Sequence, residues 1–68
     1  MKPLTARQVE TILRRNGFVR KFGVGGHAGW HNPTTGRSTV VPHHGNRTLK
    51  QGTLIAIFTQ AGIPKPPR

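Results

Sequence analysis

The sequence predicts a small α+β domain of order α-β-β-β-α, in which a three-stranded antiparallel sheet carries two helices on one face. Two segments, one near each end of the chain, have apolar residues at helical spacing. Between them lie β-branched and alternating segments, separated by glycines and by an Asn-Pro-Thr-Thr-Gly turn. Two amphipathic helices need an apolar surface to cover, and three strands supply one such face while leaving the other open to solvent.

The first helix is predicted to begin after Thr5. The segment Thr5-Ala6-Arg7-Gln8 has the pattern of a capping box, in which the side chains of Thr5 and Gln8 each satisfy a free backbone N–H. Asn16-Gly17 is a typical helix end, because glycine adopts the left-handed conformation that closes a last turn. Glu10 is expected on the outward face with the neighbouring arginines. The apolar residues that share the other face are Val9, Ile12 and Leu13.

Three strands are predicted between the helices, at residues 18–22, 27–31 and 37–41. Alternation along the second strand directs Ala28 and Trp30 toward the helices, where Trp30 joins the core. The same alternation puts His27, Gly29 and His31 on the open face. An open polar sheet face surrounded by arginine and lysine is a suitable surface for RNA.

The second helix is predicted to start between Leu49 and Thr53. It ends before Gly62, beyond which Pro64 prevents its continuation. Its apolar stripe consists of Leu54, Ile57, Phe58 and Ala61. We therefore expect a single domain over residues 1–64, followed by a short basic tail over residues 65–68.

The composition is strongly basic and limits the chemistry. Lysine and arginine total 11 against one acidic residue, Glu10, so the formal net charge is +10 among 68 residues. A folded domain of this charge is expected to bind a polyanion, most often nucleic acid. One carboxylate cannot support a two-carboxylate mechanism, and the absence of cysteine excludes disulfides and cysteine-ligated zinc.

No cofactor and no metal site is predicted. The four histidines lack a recognised ligand spacing, and no apolar run approaches the ~20 residues that a membrane-spanning helix needs. We therefore expect a cytoplasmic protein that does not associate with membranes.

Five short motifs, taken in order and with their spacing, resemble the HicA (YcfA-like) family of toxins from bacterial toxin–antitoxin pairs. The resemblance extends from about Thr5 to Pro64, nearly the whole chain. The motifs are Asn16-Gly17-Phe18, Gly25-Gly26-His27, Val41-Pro42-His43, Leu49-Lys50-Gln51-Gly52-Thr53-Leu54 and Gln60-Ala61-Gly62-Ile63.

The resemblance implies a fold like that of double-stranded-RNA-binding domains, an mRNA-cleaving activity and inhibition by an acidic HicB-type antitoxin that covers the His27 face. Relatives carry a Gly-Ser-His motif after the first strand, which here reads Gly25-Gly26-His27. His27 therefore matches the catalytic histidine, while Gly26 offers no hydroxyl.

The residues around His27 suit RNA cleavage. A neutral histidine accepts a proton near pH 7, and positive charge stabilises the phosphorane that forms when a 2′-hydroxyl attacks phosphorus. Gly25 and Gly26 let backbone amides approach a phosphate. The residues predicted to contact RNA are Arg20, Lys21, Gly25, Gly26, His31 and Arg37.

The sequence leaves alternatives open. His31 is the best side-chain choice for the general acid, although water, lysine or arginine also fit that role. A non-catalytic, basic RNA-binding module agrees equally well with the charge and the fold. A DNA-binding regulator is disfavoured, because the helix over residues 54–61 has no arginine or lysine with which to read base edges.

Overall fold

The computed structural model describes residues 3–43 and 47–64, and it confirms the predicted α-β-β-β-α order. The basic tail predicted at residues 65–68 lies outside the described residues. Neither helix of the described part has the length and apolarity needed to cross a membrane. The elements are α1 (Ala6–Arg15), β1 (Val19–Val24), β2 (His27–His31), β3 (Ser38–Pro42) and α2 (Gln51–Ala61).

Helix α1 begins at the predicted capping box. The Thr5 N–H donates to Gln8 Oε1 at 2.9 Å, and the Gln8 N–H donates to Thr5 Oγ1 at 3.3 Å. The helix ends at Asn16, and Gly17 follows with a φ of +88°. Both predicted ends are confirmed, because each depends on contacts between residues close in sequence.

The sheet has the order β1-β2-β3 with both pairs antiparallel. Strand β1 is longer than predicted and contains a bulge. Arg20 pairs with Trp30 and Phe22 pairs with Gly29, so Lys21 is an extra residue on β1. The bulge reverses the alternation of side chains beyond Lys21, because one residue is added to a pattern of period two.

One hydrophobic core fills the space between the sheet and both helices. Trp30 and Ala28 contribute from β2 and Val41 from β3, which confirms that the helices cover one face of the sheet. Phe18, predicted as the first residue of β1, is buried just before that strand begins. The helical and flanking members of the core are Ala6, Val9, Leu13, Leu49, Leu54, Ile57, Phe58 and Ala61.

A buried asparagine joins the two connections at one end of the sheet. Asn32 is 5% exposed, and its Nδ2 donates to the backbone oxygen of Asn16 at 3.1 Å. Its Oδ1 accepts from the backbone N–H groups of Thr34 at 2.9 Å and Thr35 at 3.3 Å. The end of α1 and the β2–β3 turn are thereby fixed relative to each other.

Candidate functional site

His27 lies on the open face of the sheet, at the first position of β2. It is exposed, whereas Ala28 and Trp30 are buried against the helices, so alternation puts His27 on the opposite face. Its backbone pairs with that of Val24 on β1 and Pro42 on β3. A histidine at this position is accessible to a large polymeric ligand.

The two glycines before His27 form the β1–β2 hairpin turn. Gly25 has a φ of +59°, the left-handed value that two-residue hairpins need at their first central position. A Cβ built on Gly25 would meet no other atom within 4 Å, so the turn is open to solvent on that side. The Gly26 oxygen accepts a hydrogen bond of 2.6 Å from the His43 N–H. The turn therefore presents bare backbone beside His27.

Phe22 lies on the same open face and covers Gly29. The two residues pair directly across β1 and β2. A Cβ built on Gly29 would overlap three ring atoms of Phe22, so the ring occupies the space that any other residue would fill. Gly29 is buried as a result, whereas Phe22 itself is 56% exposed. Phe22 was not among the residues predicted to contact RNA.

His31 is on the same face as His27 but at the other end of β2. Its Nδ1 lies 2.8 Å from Ser38 Oγ, its cross-strand neighbour on β3. Four residues along a strand correspond to ~13 Å, and the Phe22–Gly29 pair lies between the two histidines. The structure therefore does not bring His31 into the surroundings of His27.

Two of the predicted RNA-contacting cations lie on β1, at its bulge. Arg20 pairs with Trp30, and its Nη2 would be 3.0 Å from a Cβ at Gly23, so it lies over the helix-facing side of the sheet's edge. It does not share the face of His27. Lys21, the extra residue of the bulge, is exposed.

Arg37 is associated with the end of α2 rather than with His27. Its Nη1 donates to the backbone oxygen of Gln60 at 3.5 Å. Its Nε would be 2.6 Å from a Cβ built on Gly62. A cation at this position interacts favourably with the negative end of the helix dipole. Arg37 precedes β3, whose first residue pairs with His31, so it lies at the end of the sheet away from His27.

The expectation that Glu10 lies on the outward face of α1 is wrong. Glu10 Oε2 accepts a hydrogen bond of 2.9 Å from the Trp30 indole N–H and lies 3.1 Å from His43 Nε2. Its side chain is only 13% exposed. A buried indole N–H requires an acceptor, and the one carboxylate of the chain supplies it. No local pattern in the sequence indicates this contact, because Glu10 and Trp30 are on different elements.

This arrangement also shapes the charge of the surface. Because Glu10 is the sole acidic residue and is mostly covered, no exposed carboxylate side chain offsets the lysines and arginines. One of those cations, Arg14, stacks over the Trp30 ring at 5.2 Å from its centroid. The charged side chains that a ligand meets are therefore lysines and arginines.

An open pocket lies between the start of α2 and the end of β3. Its volume is about 420 Å³, and Pro42, the cross-strand partner of His27, forms part of its wall. Arg47 and Lys50 line it and are both exposed. These two cations were not among the predicted RNA contacts, since only the folded chain brings the start of α2 next to the end of β3. The other lining residues are Thr48, Leu49 and Thr53.

Within residues 3–43 and 47–64, no group of three histidine, cysteine, aspartate or glutamate side chains is close enough to hold a metal ion. The neighbours of His27 are instead the glycines of the turn and, one pair along the sheet, the exposed ring of Phe22, while Lys21, Arg47 and Lys50 are exposed on adjoining segments. Such a set can bind phosphate, accept a proton and contact a nucleobase.

Comparison with known families supports the resemblance seen in the sequence. The family model described as the HicA toxin of bacterial toxin–antitoxin systems matches residues 6–63, which include every helix and strand described above. No curated protein matches the chain.

Proposed function

The chain belongs to the HicA toxin family of bacterial toxin–antitoxin pairs, and on that premise we propose that it is a metal-independent endoribonuclease that cleaves mRNA. His27 is the catalytic base. The observation that supports the proposal is the position of His27, exposed beside an open glycine turn on a surface with no exposed carboxylate side chain.

The reaction uses a nucleophile that RNA itself provides. His27 removes the proton of a 2′-hydroxyl, whose oxygen then forms a bond to the adjacent phosphorus. The bond between phosphorus and the 5′-oxygen of the next nucleotide breaks, and water or a nearby cation delivers a proton to that oxygen. The products are a 2′,3′-cyclic phosphate and a 5′-hydroxyl end, and no metal ion takes part.

The phosphates of the RNA are proposed to bind next to His27. Gly25 presents backbone on an open side of the turn, where RNA would approach without meeting a side chain, and Gly26 continues this backbone toward His27. Lys21 is exposed on β1, while Arg47 and Lys50 flank the pocket that adjoins Pro42. These cations would lower the energy of the phosphorane, whose charge exceeds that of the diester.

The same positive surface supports a proposal for the partner. An acidic HicB-type antitoxin would cover the His27 face, because a protein of opposite charge gains most where no carboxylate of this chain repels it. Inhibition would then follow from competition with RNA for His27.

A cleavage assay with a labelled, mixed-sequence RNA in EDTA tests the proposal. The parent chain is expected to produce fragments with 2′,3′-cyclic phosphate ends, and His27→Ala is expected to produce none. His31→Ala is the matched control, because it removes a histidine from the same face of the same strand. A second substrate carries 2′-O-methyl groups throughout and is expected to resist cleavage.

The cleavage assay distinguishes the proposed mechanism from its alternatives. Loss of cleavage in His27→Ala, with retained RNA binding and an unchanged melting temperature, supports the base assignment. Binding without cleavage by the parent chain would make the protein a non-catalytic RNA-binding module. Cleavage that depends on added metal, or that persists in His27→Ala, would contradict the proposed mechanism.

A further inference from the structure

Phe22 has the most exposed aromatic ring among the described residues, and this ring lies flat on the open face of the sheet. A Cβ built on Gly29 would lie at nearly equal distances from Cζ, Cε1 and Cε2 of Phe22. An edge-on ring would leave Cζ clearly nearer than both Cε atoms. One π face of Phe22 therefore covers Gly29, and the opposite π face is directed to solvent.

Strand pairing places this ring at the middle of the open face. His27 and His31 lie two residues to either side of Gly29 on β2, each ~7 Å away along the strand. Val40, the partner of Gly29 on β3, is 41% exposed and lies on the same face. Phe22 thus occupies the centre of the open face, within one nucleotide's reach of His27.

The bulge at Lys21 is the reason that Phe22 is on this face. Strict alternation from Phe18, which is buried, would direct Phe22 toward the helices as well. The extra residue reverses this orientation and leaves a phenyl ring 56% exposed. The other aromatic of the sheet, Trp30, is buried and hydrogen-bonded to Glu10, so it is unavailable for stacking.

We propose that Phe22 is a stacking platform for one unpaired RNA base, and that this contact positions the neighbouring 2′-hydroxyl at His27. The inference rests on the proposed function, since it assigns a substrate class to that same site. Aromatic side chains on exposed sheet faces bind unstacked bases regardless of sequence, because every base has a π face. The net charge of +10 favours this polyanionic occupant over an apolar one.

The substrate is accordingly single-stranded RNA. Bases inside a duplex are already stacked on their neighbours and are not available to a flat ring on a protein surface. A base stacked on Phe22 would orient its own strand along β2, with the phosphate displaced toward the Gly25-Gly26 turn. Phe22 is therefore a positioning residue for His27 and a determinant of preference for single strands.

The test measures binding rather than cleavage, so that it is independent of the base assignment. The probe is a short, fluorescently labelled, single-stranded 2′-O-methyl oligoribonucleotide, titrated with the whole chain at several salt concentrations. Phe22→Leu keeps an apolar cover over Gly29 but removes the π face, and it is expected to weaken binding about tenfold. Phe22→Trp is expected to bind within about twofold of the parent, because it retains a stacking surface.

Val40→Ala is the matched control, since it truncates an exposed apolar residue on the same face and is expected to change binding by less than about twofold. The salt dependence of Phe22→Leu should equal that of the parent, because no cation is lost. A duplex of the same length should bind the parent and Phe22→Leu equally. Thermal unfolding of each variant checks the fold.

The outcomes separate this inference from the proposed function. A parent chain that binds RNA, together with a folded Phe22→Leu that binds it equally well, overturns the stacking assignment alone. A parent chain that binds no RNA overturns the proposed function and the inference together. Unchanged RNA binding with weakened capture by an acidic protein partner would assign Phe22 to protein docking and contradict the inference.

Discussion

The Trp30 indole N–H donates a hydrogen bond of 2.9 Å to Glu10 Oε2, across the boundary between α1 and the sheet. The same oxygen lies 3.1 Å from Nε2 of His43, the residue that follows β3. One carboxylate thereby joins α1, β2 and the segment after β3. It also leaves the remaining surface without an acidic side chain, which favours the binding of polyanions.

Removing this carboxylate should destabilise the fold. We expect Glu10→Ala to lower the free energy of unfolding by about 1–3 kcal/mol, because the buried indole N–H loses its acceptor. Glu10→Gln should cost less, since an amide oxygen still accepts from Trp30. Urea denaturation followed by the fluorescence of Trp30 measures both variants.

Arg15→Ala serves as the control for these variants, because Arg15 is an exposed residue of the same helix. We expect it to change stability by less than about 0.5 kcal/mol. A Glu10→Ala chain as stable as Arg15→Ala would contradict the role assigned to the Glu10–Trp30 contact.

The salt dependence of RNA binding should separate phosphate-contacting cations from structural ones. Each cation that neutralises a phosphate of a single strand contributes about 0.7 to the slope of log K against log salt. We expect Lys50→Gln to reduce the slope by about that amount, because Lys50 lines the open pocket beside Pro42.

Arg37→Gln should leave the slope unchanged, since Arg37 contacts the Gln60 oxygen at the end of α2. It should instead lower the melting temperature, because a favourable interaction with the helix C-terminus is lost. Equal effects of Lys50→Gln and Arg37→Gln on the slope would show that the charge acts diffusely rather than through the pocket.

Alanine should change the free energy of unfolding in opposite directions at Gly52, which lies inside α2, and at Gly62, which is its C-cap. Gly52 is helical and exposed, and a Cβ there would meet nothing within 4 Å, so Gly52→Ala should stabilise the chain by about 0.5 kcal/mol. Gly62 has a φ of +70°, and a Cβ there would be 2.6 Å from Arg37 Nε. We expect Gly62→Ala to destabilise the chain by about 1 kcal/mol or more, as thermal denaturation would measure.

Asn32 should contribute more to stability than Asn16, the exposed residue whose backbone oxygen it contacts. Asn32→Ala removes three hydrogen bonds from a residue that is 5% exposed, and we expect a loss of about 2 kcal/mol. Asn16→Ala keeps the backbone oxygen that accepts from Asn32 and should cost clearly less. Similar denaturation midpoints for the two variants would contradict this difference.

Elements whose signals are local were predictable from the sequence. The capping box at Thr5, the left-handed glycine at Gly62 and the alternation of Ala28 and Trp30 each predicted what the structure contains. These features depend on residues a few positions apart, whose interactions are nearly the same in any fold. The charge, too, follows from composition alone.

Which side chains share a surface depends on how the strands pair and how the helices pack on them. The bulge at Lys21 moved Phe22 to the open face, and bulge positions depend on the pairing of two strands rather than on one. The buried N–H of Trp30 drew Glu10 inward from its expected outward position. Arg37 was directed to the end of α2, while Lys50 was brought beside the partner of His27. The Glu10–Trp30 and Arg37–Gln60 contacts join residues 20 and 23 positions apart, and only the packing of the elements brings them within hydrogen-bond distance.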